Sequence, residues 1–377
     1  MPYRPRDIYR GRRKFRVPLT IILSILCVLI VGGVALFYGL QQYLVYDQNG
    51  VSLQLPFMGG TAATVSAADA GDTASAEIFE PVQVEVVYDD PDFSDVNLGG
   101  WEDLAATQAL FVPYDDAVRE EKLSGALESV TSSDYTGFVL ELKDESGQLA
   151  WPSRNELAVS YGTAGLMDYT ETVTAIHEKN MTAAAQISCC ADNAMATRNW
   201  PLALQSAPGV PYQDGDRNYW LDPYNRTVRN YLADLMQELA AMGFDEIILS
   251  NLRHPVSDSS FTYSVTIQTT PDPVAAVCAM GRRLAESLSG TGVAVSALID
   301  ESSLRDAASA QTGQDLNIFW RMFARLYCPS DAYNAASDFS LASSALTEGD
   351  AAVRLALVCP YTPDGVTSSV IAAAKEN

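Results

Sequence analysis

From Ala106 onward, short apolar runs alternate with stretches in which apolar residues return every three or four positions. The runs are ALFVP (109–113), GFVLELK (137–143), TAAAQIS (182–188), EIILS (246–250), VAVSALI (293–299), FARLYC (323–328) and VRLALVC (353–359). Their lengths suit strands, and most are apolar throughout, as strands covered on both faces must be. Alternation of strand and helix periods predicts a parallel sheet built from βα units. One helix is especially well specified. Asp222 can cap it, Pro223 suits its first turn, and Val228, Leu232, Leu235, Met236, Leu239 and Met242 form an apolar stripe that Gly243 closes. Helix 223–242 then leads straight into strand 246–250.

Seven such repeats over about 270 residues predict an α/β fold, a (β/α)8 barrel of the TIM type rather than an open doubly wound sheet. No glycine-rich phosphate loop follows the first strand, which also argues against the doubly wound alternative. The eighth strand is the gap in the pattern, since only PYTPDGVTSSVIAAAKEN remains after Cys359. Either the barrel closes with an irregular last element, for which EPVQVEVVY (80–88) is one candidate, or it stays partly open.

The first hundred residues follow different rules. Residues 1–17 hold seven basic groups and one acid, Asp7, and PLTIILSILCVLIVGGVALFYGL (18–40) then runs without a charge. That run is long enough to cross roughly 30 Å of hydrocarbon as a helix. It exceeds the apolar core of a signal peptide and lacks a small-residue cleavage site, so it predicts an uncleaved transmembrane anchor. The basic flank places the N-terminus in the cytoplasm and everything after the span outside. Residues 41–100 are small, polar and acidic, with TAATVSAADAGDTASAE at their centre, and predict a flexible tether. The barrel is then assigned to 101–377.

Charge sharpens this division. Beyond residue 17 there are 17 Lys and Arg against 46 Asp and Glu, a net of −29. Such a surface repels nucleic acid and anionic lipid headgroups. Five cysteines lie beyond the span, an odd number without CxxC spacing, which points to small buried residues rather than a zinc site or a disulfide framework. One pair among Cys189, Cys190, Cys328 and Cys359 could still be oxidised outside the cell. With His177 and His254 the only histidines, a histidine metal site has little material, and nothing in the chain requires a cofactor.

In a barrel of this kind chemistry gathers at the C-terminal ends of the strands. Those ends carry Tyr114, Asp115 and Asp116, then Glu141, Lys143, Asp144 and Glu145, then Asp192. Ser250, Asn251, Arg253 and His254 follow the fourth strand, Asp300 and Glu301 the fifth, Tyr327, Ser330 and Asp331 the sixth, and Tyr361 and Asp364 the seventh. Carboxylates interleaved with Trp151, Trp200, Tyr219 and Trp220 suit a sugar site, because aromatic faces stack on pyranose rings and two carboxyl groups can flank a glycosidic bond. The bland reading, acidic loops on an acidic protein, applies to any single carboxylate. A Ser250/His254 hydrolase pair lacks the GxSxG turn around the serine.

The run YWLDPYNRTVRNYLADLMQELAAMGFDEIILSNLRHP, with FVLELKDESG before it and LYCPSDAY after it, resembles a glycoside hydrolase domain family of bacterial barrel proteins, distantly similar to the α-amylase-type barrels. The resemblance spans roughly residues 109–361. It implies that the family's acidic residues after strand two fall on Glu141 and Asp144, its aspartate after strand three on Asp192, and its arginine and proline after strand four on Arg253 and Pro255. The departures are as informative. Where the family carries an aspartate at the end of strand four, the nucleophile by analogy with amylases, this chain has Ser250. The family's strand-three arginine is Gln186 here, its Tyr-Pro-Ser-His motif after strand six is Cys328-Pro329-Ser330-Asp331, and its strand-seven tryptophan is absent from LALVC (355–359).

A retaining mechanism needs a carboxylate nucleophile about 5–5.5 Å from its acid partner, and a lone serine hydroxyl cannot replace it near neutral pH. Inverting chemistry needs only an acid and a base roughly 6.5–9.5 Å apart. The sequence therefore leads to a membrane-anchored, extracytoplasmic glycoside hydrolase whose acid and base come from Asp144, Asp192 and Asp300. Glu141, Ser250, Asn251, Arg253, Trp200, Trp220, Tyr327 and Asp331 are the expected substrate contacts, with a carbohydrate as partner. The competing expectation is a barrel that binds glycans or envelope proteins and has lost hydrolysis at Ser250.

Overall fold

The computed structural model describes residues 44–47, 50–53, 104–130, 135–257, 260–265, 271–305, 309–330, 337–338, 340, 351–360 and 369–373. The expected membrane span at 18–40, most of the tether and the candidate strand at 80–88 lie outside them. No described helix is long and apolar enough to cross a membrane. The chain divides into two compact units, Met1–Val84 and Glu85–Asn377. In the first, Leu44–Asp47 pairs antiparallel with Gly50–Leu53, Leu44 opposite Leu53 and Asp47 opposite Gly50. This hairpin stands in the stretch read as a tether.

The second unit is the barrel. Its strands are β1 (Gln108–Val112), β2 (Gly137–Lys143), β3 (Thr182–Ser188), β4 (Glu246–Ser250), β5 (Ala294–Leu298), β6 (Leu326–Pro329) and β7 (Leu355–Cys359), all parallel neighbours in a curled sheet. The eighth, β8 (Ser369–Ala373), pairs parallel with β7 and with β1, setting Val370 beside Leu357 and Ile371 beside Ala109. These two edges close the ring, and the closing strand comes from the C-terminal run that composition left undecided. Two strand starts moved by two or more residues. Phe323 caps the helix Leu316–Met322 instead of opening β6, and Val353 and Arg354 belong to the short helix Ala351–Arg354 before β7.

Apolar residues on alternate strand positions face opposite ways and build two cores. Ala109, Val139, Ala184, Ile248, Tyr327 and Ala356 pack inside the ring, whereas the large cluster containing Phe138, Leu140, Leu232, Leu235 and Phe244 lies between strands and surrounding helices. Among those helices are α1 (Glu120–Ser129), α2 (Thr170–Glu178), α3 (Asn193–Arg198), α4 (Arg226–Ala241) and α5 (Pro273–Ser287). Helix α4 buries the stripe read from the sequence, but it starts later than expected. Asn225, not Asp222, caps it by accepting from the Thr227 amide at 2.8 Å. Asp222 is occupied elsewhere, accepting from the Tyr224 amide at 2.9 Å, the Ser264 amide at 2.7 Å and the Ser264 hydroxyl at 2.6 Å.

The lower end of the lumen holds a closed polar cluster. Arg325 meets Glu246 at 2.6 Å, the Tyr327 hydroxyl donates to Glu246 Oε1 at 3.0 Å, and Ser296 donates to the same oxygen at 2.5 Å. Arg325 also donates to the carbonyls of Ala105 and Val353 at 2.9 and 3.0 Å. Burial by itself would lower the Arg325 pKa, but the adjoining Glu246 charge outweighs it and holds the guanidinium above its ordinary range. Each described polar group of this cluster has a partner, as a buried ion pair requires.

Candidate active site

The upper end of the lumen is built from the same strands and treated differently. Two residues above Val139 and Ala184, strand alternation turns Glu141 and Gln186 inward, side by side in the register of β2 and β3. Glu141 Oε2 accepts from the Tyr114 amide at 3.0 Å, and Oε1 lies 3.3 Å from the Gln186 amide nitrogen. Burial, with the charges of Glu145 and Asp144 added to it, raises the Glu141 carboxyl from 4.5 to about 7 against the lowering effect of these two donors. Burial, Asp144 and Asp115 likewise raise the Tyr114 phenol.

Asn251 connects this carboxyl cluster to the neighbouring strand ends. It stands in the left-handed region at φ 50, and its side-chain amide donates to Glu145 Oε1 at 2.8 Å and to Ser188 Oγ at 3.0 Å. Asparagine tolerates that conformation better than most residues. Beyond it a cavity of about 180 Å³ opens at the ends of β4, β5 and β6, lined by Asn251, Arg253, Leu298, Ile299, Asp300, Glu301 and Pro329. Arg253 is fixed on three sides. Its Nε pairs with Asp300 Oδ2 at 3.0 Å, one terminal nitrogen donates to the His254 carbonyl at 3.0 Å, and its guanidinium lies 4.7 Å from the centre of the Trp220 ring. Asp300 Oδ1 accepts from the Ser302 amide and hydroxyl, which holds the carboxylate at the cavity wall.

The expected residues therefore separate into two groups. Asn251, Arg253 and Asp300 line the cavity, and Glu141 and Asp144 stand at the neighbouring end of β2, linked to it through the Glu145–Asn251 hydrogen bond. Asp192 does not reach it, being fully buried with Oδ2 facing Lys143 Nζ at 3.0 Å and Oδ1 capping α3 through the Met195 amide at 2.8 Å. The loop after β2 closes over Asp192 at Gly147, where φ is 78 and a Cβ would collide with Asp192 Oδ1. Tyr327 is buried in the lower polar cluster and Trp220 beneath Arg253, with its indole donating to Asp214 at 2.9 Å, so neither presents an open face for stacking. Trp200 does, at 49 % exposure. Ser250 ends β4 at 4 % exposure on the lumen-facing alternation set by Ile248, and Asp331 lies outside the described residues.

His254 is also withdrawn. It is fully buried against Phe261 and Tyr263, neither ring nitrogen has a hydrogen-bond partner, and burial lowers it to about 4. All five described cysteines are free and buried. Among the described residues no three His, Cys, Asp or Glu side chains gather to hold a metal.

Comparison with known proteins agrees with this architecture. The model of a family described as "Putative glycosyl hydrolase domain" matches residues 109–322, more than half of the chain. The chain belongs to this family. Its fold resembles the glycoside hydrolase domain of PgaB (BpsB) from Bordetella bronchiseptica, with a TM-score of 0.53 at 10 % identity over 72 % of this chain and 94 % of that one. A hypothetical protein from Ruminiclostridium thermocellum ATCC 27405 shares 22 % identity over 50 % of this chain and 96 % of its own, at a TM-score of 0.45. No curated protein matches the chain. The first of these likenesses supports the barrel fold of the glycosyl hydrolase domain, and the roles of individual side chains rest on the geometry above.

Sequence reasoning placed Glu141 among the substrate contacts and missed its exceptional environment. Strand alternation was the available signal, because Val139 and Glu141 on β2, and Ala184 and Gln186 on β3, share a lumen-facing period of two.

Proposed function

We propose that this chain is a membrane-anchored glycoside hydrolase whose barrel lies outside the cytoplasm and acts by inversion on an envelope or environmental carbohydrate. The observation that carries the catalytic reading is Glu141, a lumen carboxyl raised to about 7 at the mouth of a hydrolase-family barrel. A group that is half protonated near neutral pH can donate to a leaving oxygen, which is the role of the general acid. Asp300, at a strand end separated from β2 by β3 and β4, supplies the base, with Asp144 as its alternative. Arg253 holds Asp300 and directs its remaining polar surface to sugar hydroxyls. Leu298, Ile299 and Pro329 offer an apolar wall to a ring face, and Trp200 an outer stacking surface. The basic start and uncharged run at 18–40 support the anchor and the extracytoplasmic location.

Ser250 favours a second reading, a glycan-binding barrel without turnover. It occupies the end of β4, where a retaining enzyme of the resembled type needs a carboxylate. The full-length protein in detergent, assayed on wall-derived and storage glycans beside Glu141→Gln and Ser250→Asp, separates the two. We expect turnover that Glu141→Gln reduces about 10²–10⁴-fold, with product anomers inverted. Glycan binding without turnover, especially if Ser250→Asp introduced hydrolysis, would establish the binding barrel instead.

A further inference from the structure

The two oxygens of Glu141 have unequal partners. Oε2 accepts a main-chain N–H, that of Tyr114 at 3.0 Å, and a main-chain N–H can only donate. While that bond stands, a proton on the carboxyl belongs on Oε1. Oε1 faces Gln186 at 3.3 Å. A primary amide carries a donor and an acceptor on one planar end, so turning it over converts a partner for a carboxylate into a partner for a carboxylic acid. Lysine or arginine at the same place could only donate, and would hold Glu141 as the anion.

We propose that Gln186 is a positioning residue that serves Glu141 in both protonation states, donating to Oε1 when it is bare and accepting from it when it carries the proton. This rests on the reading of Glu141 as the general acid and assigns the proton to one of its atoms. The surroundings are compatible with such exchange. The charges that act on Glu141 are acidic, Glu145 and Asp144 from the end of β2, and Tyr114 faces it from the segment after β1. On β4, beyond Gln186, the lumen-facing residues Ile248 and Ser250 are uncharged. Of the described cations at these strand ends, Lys143 pairs with Asp192 and Arg253 with Asp300.

The test is a carboxyl NMR titration of the full-length chain labelled at glutamate side chains, with the Glu141 signal assigned by its loss in Glu141→Gln. Gln186→Lys, which can only donate, should lower the Glu141 midpoint by a unit or more, whereas Gln186→Met, which removes the donor to the anion and the acceptor for the acid together, should move it far less. In an active protein the pH profile of kcat/KM should move by the same amounts in the same directions. An unchanged midpoint in Gln186→Lys, or a rise of a unit or more in Gln186→Met that shows service to the anion alone, would overturn the proposal, with circular dichroism matching the natural protein. If the lysine variant fails to fold, the methionine variant decides by its own criterion. The expected midpoints in a chain that hydrolyses no glycan would sink the catalytic reading and leave the Gln186–Glu141 coupling standing. Turnover with an unshifted midpoint in Gln186→Lys would sink the coupling and leave the hydrolase.

Discussion

Glu246 and Glu141 face the lumen of one barrel from opposite ends, and their neighbours give them opposite characters. Glu246 receives an arginine, a tyrosine hydroxyl and a serine hydroxyl. Glu141 receives a main-chain amide and a longer contact from a glutamine, with two further acids close by. A carboxylate supplied with a cation and donors is a fixed part of the framework. One enclosed among apolar and acidic groups becomes a reservoir for a proton near neutral pH. Residue type and inward direction are the same at both ends, so only the partners distinguish the two carboxyl groups.

Breaking the lower cluster should have the largest effect. Arg325→Ala leaves Glu246 buried without its cation and should cost about 3–5 kcal/mol of stability. Urea denaturation of the purified chain measures it, and a loss below about 1 kcal/mol would mean that the lower cluster is not the structural half of the pair.

The upper glutamate should appear instead in the pH dependence of stability. Glu141 is raised from 4.5 to about 7 on folding, so the folded state holds its proton over a window in which the unfolded chain has lost it. The resulting stabilisation is fully present below about pH 4.5 and is lost as pH rises through about 7. At about 1.4 kcal/mol per unit over roughly 2.5 units the change is about 3.5 kcal/mol. Glu141→Gln should remove that slope, which a difference between the two proteins in denaturation free energy across pH 4–8 would reveal. A slope unaltered by the substitution would place Glu141 on the same footing as Glu246.

His254 provides the smallest and opposite effect. Burial depresses it from 6.5 to about 4, so its contribution is present above about pH 6.5 and is lost as pH falls through about 4. Because neither ring nitrogen is partnered and two aromatic rings pack against it, His254→Phe should be neutral or stabilising by about 1 kcal/mol at pH 7 and should flatten the acid limb. Thermal melts at pH 5 and pH 7 check both parts. Destabilisation at pH 7 would reveal a polar role for the ring.

Much of this architecture can be read along the chain because it depends on local pattern. Seven apolar runs became seven parallel strands, and the stripe from Val228 to Leu239 became the buried face of α4. Family membership followed the same stretch, whose loops and strand ends carry the resemblance. Boundaries were less legible. Asn225 and Asp222 are both competent caps, and Ser264, thirty-nine residues after Asn225, draws Asp222 away from the helix. Ring closure was equally hidden, since VIAA near the C-terminus is a weak signal until the open edges of β1 and β7 give it two partners.

The site divides along the same line. Composition and spacing determined that carboxylates would crowd the strand ends, and the family resemblance implied that Ser250 stands where the family carries an aspartate. Tertiary packing alone decided which carboxylates remain available. Asp192 is locked to Lys143 and to a helix end, Asp300 is held open to the cavity by Arg253, and Glu141 is left with neutral donors and acidic neighbours. The reason is physical. A side chain's type fixes which charge it can carry, whereas its pKa and its reach depend on burial and on partners contributed by residues distant in sequence.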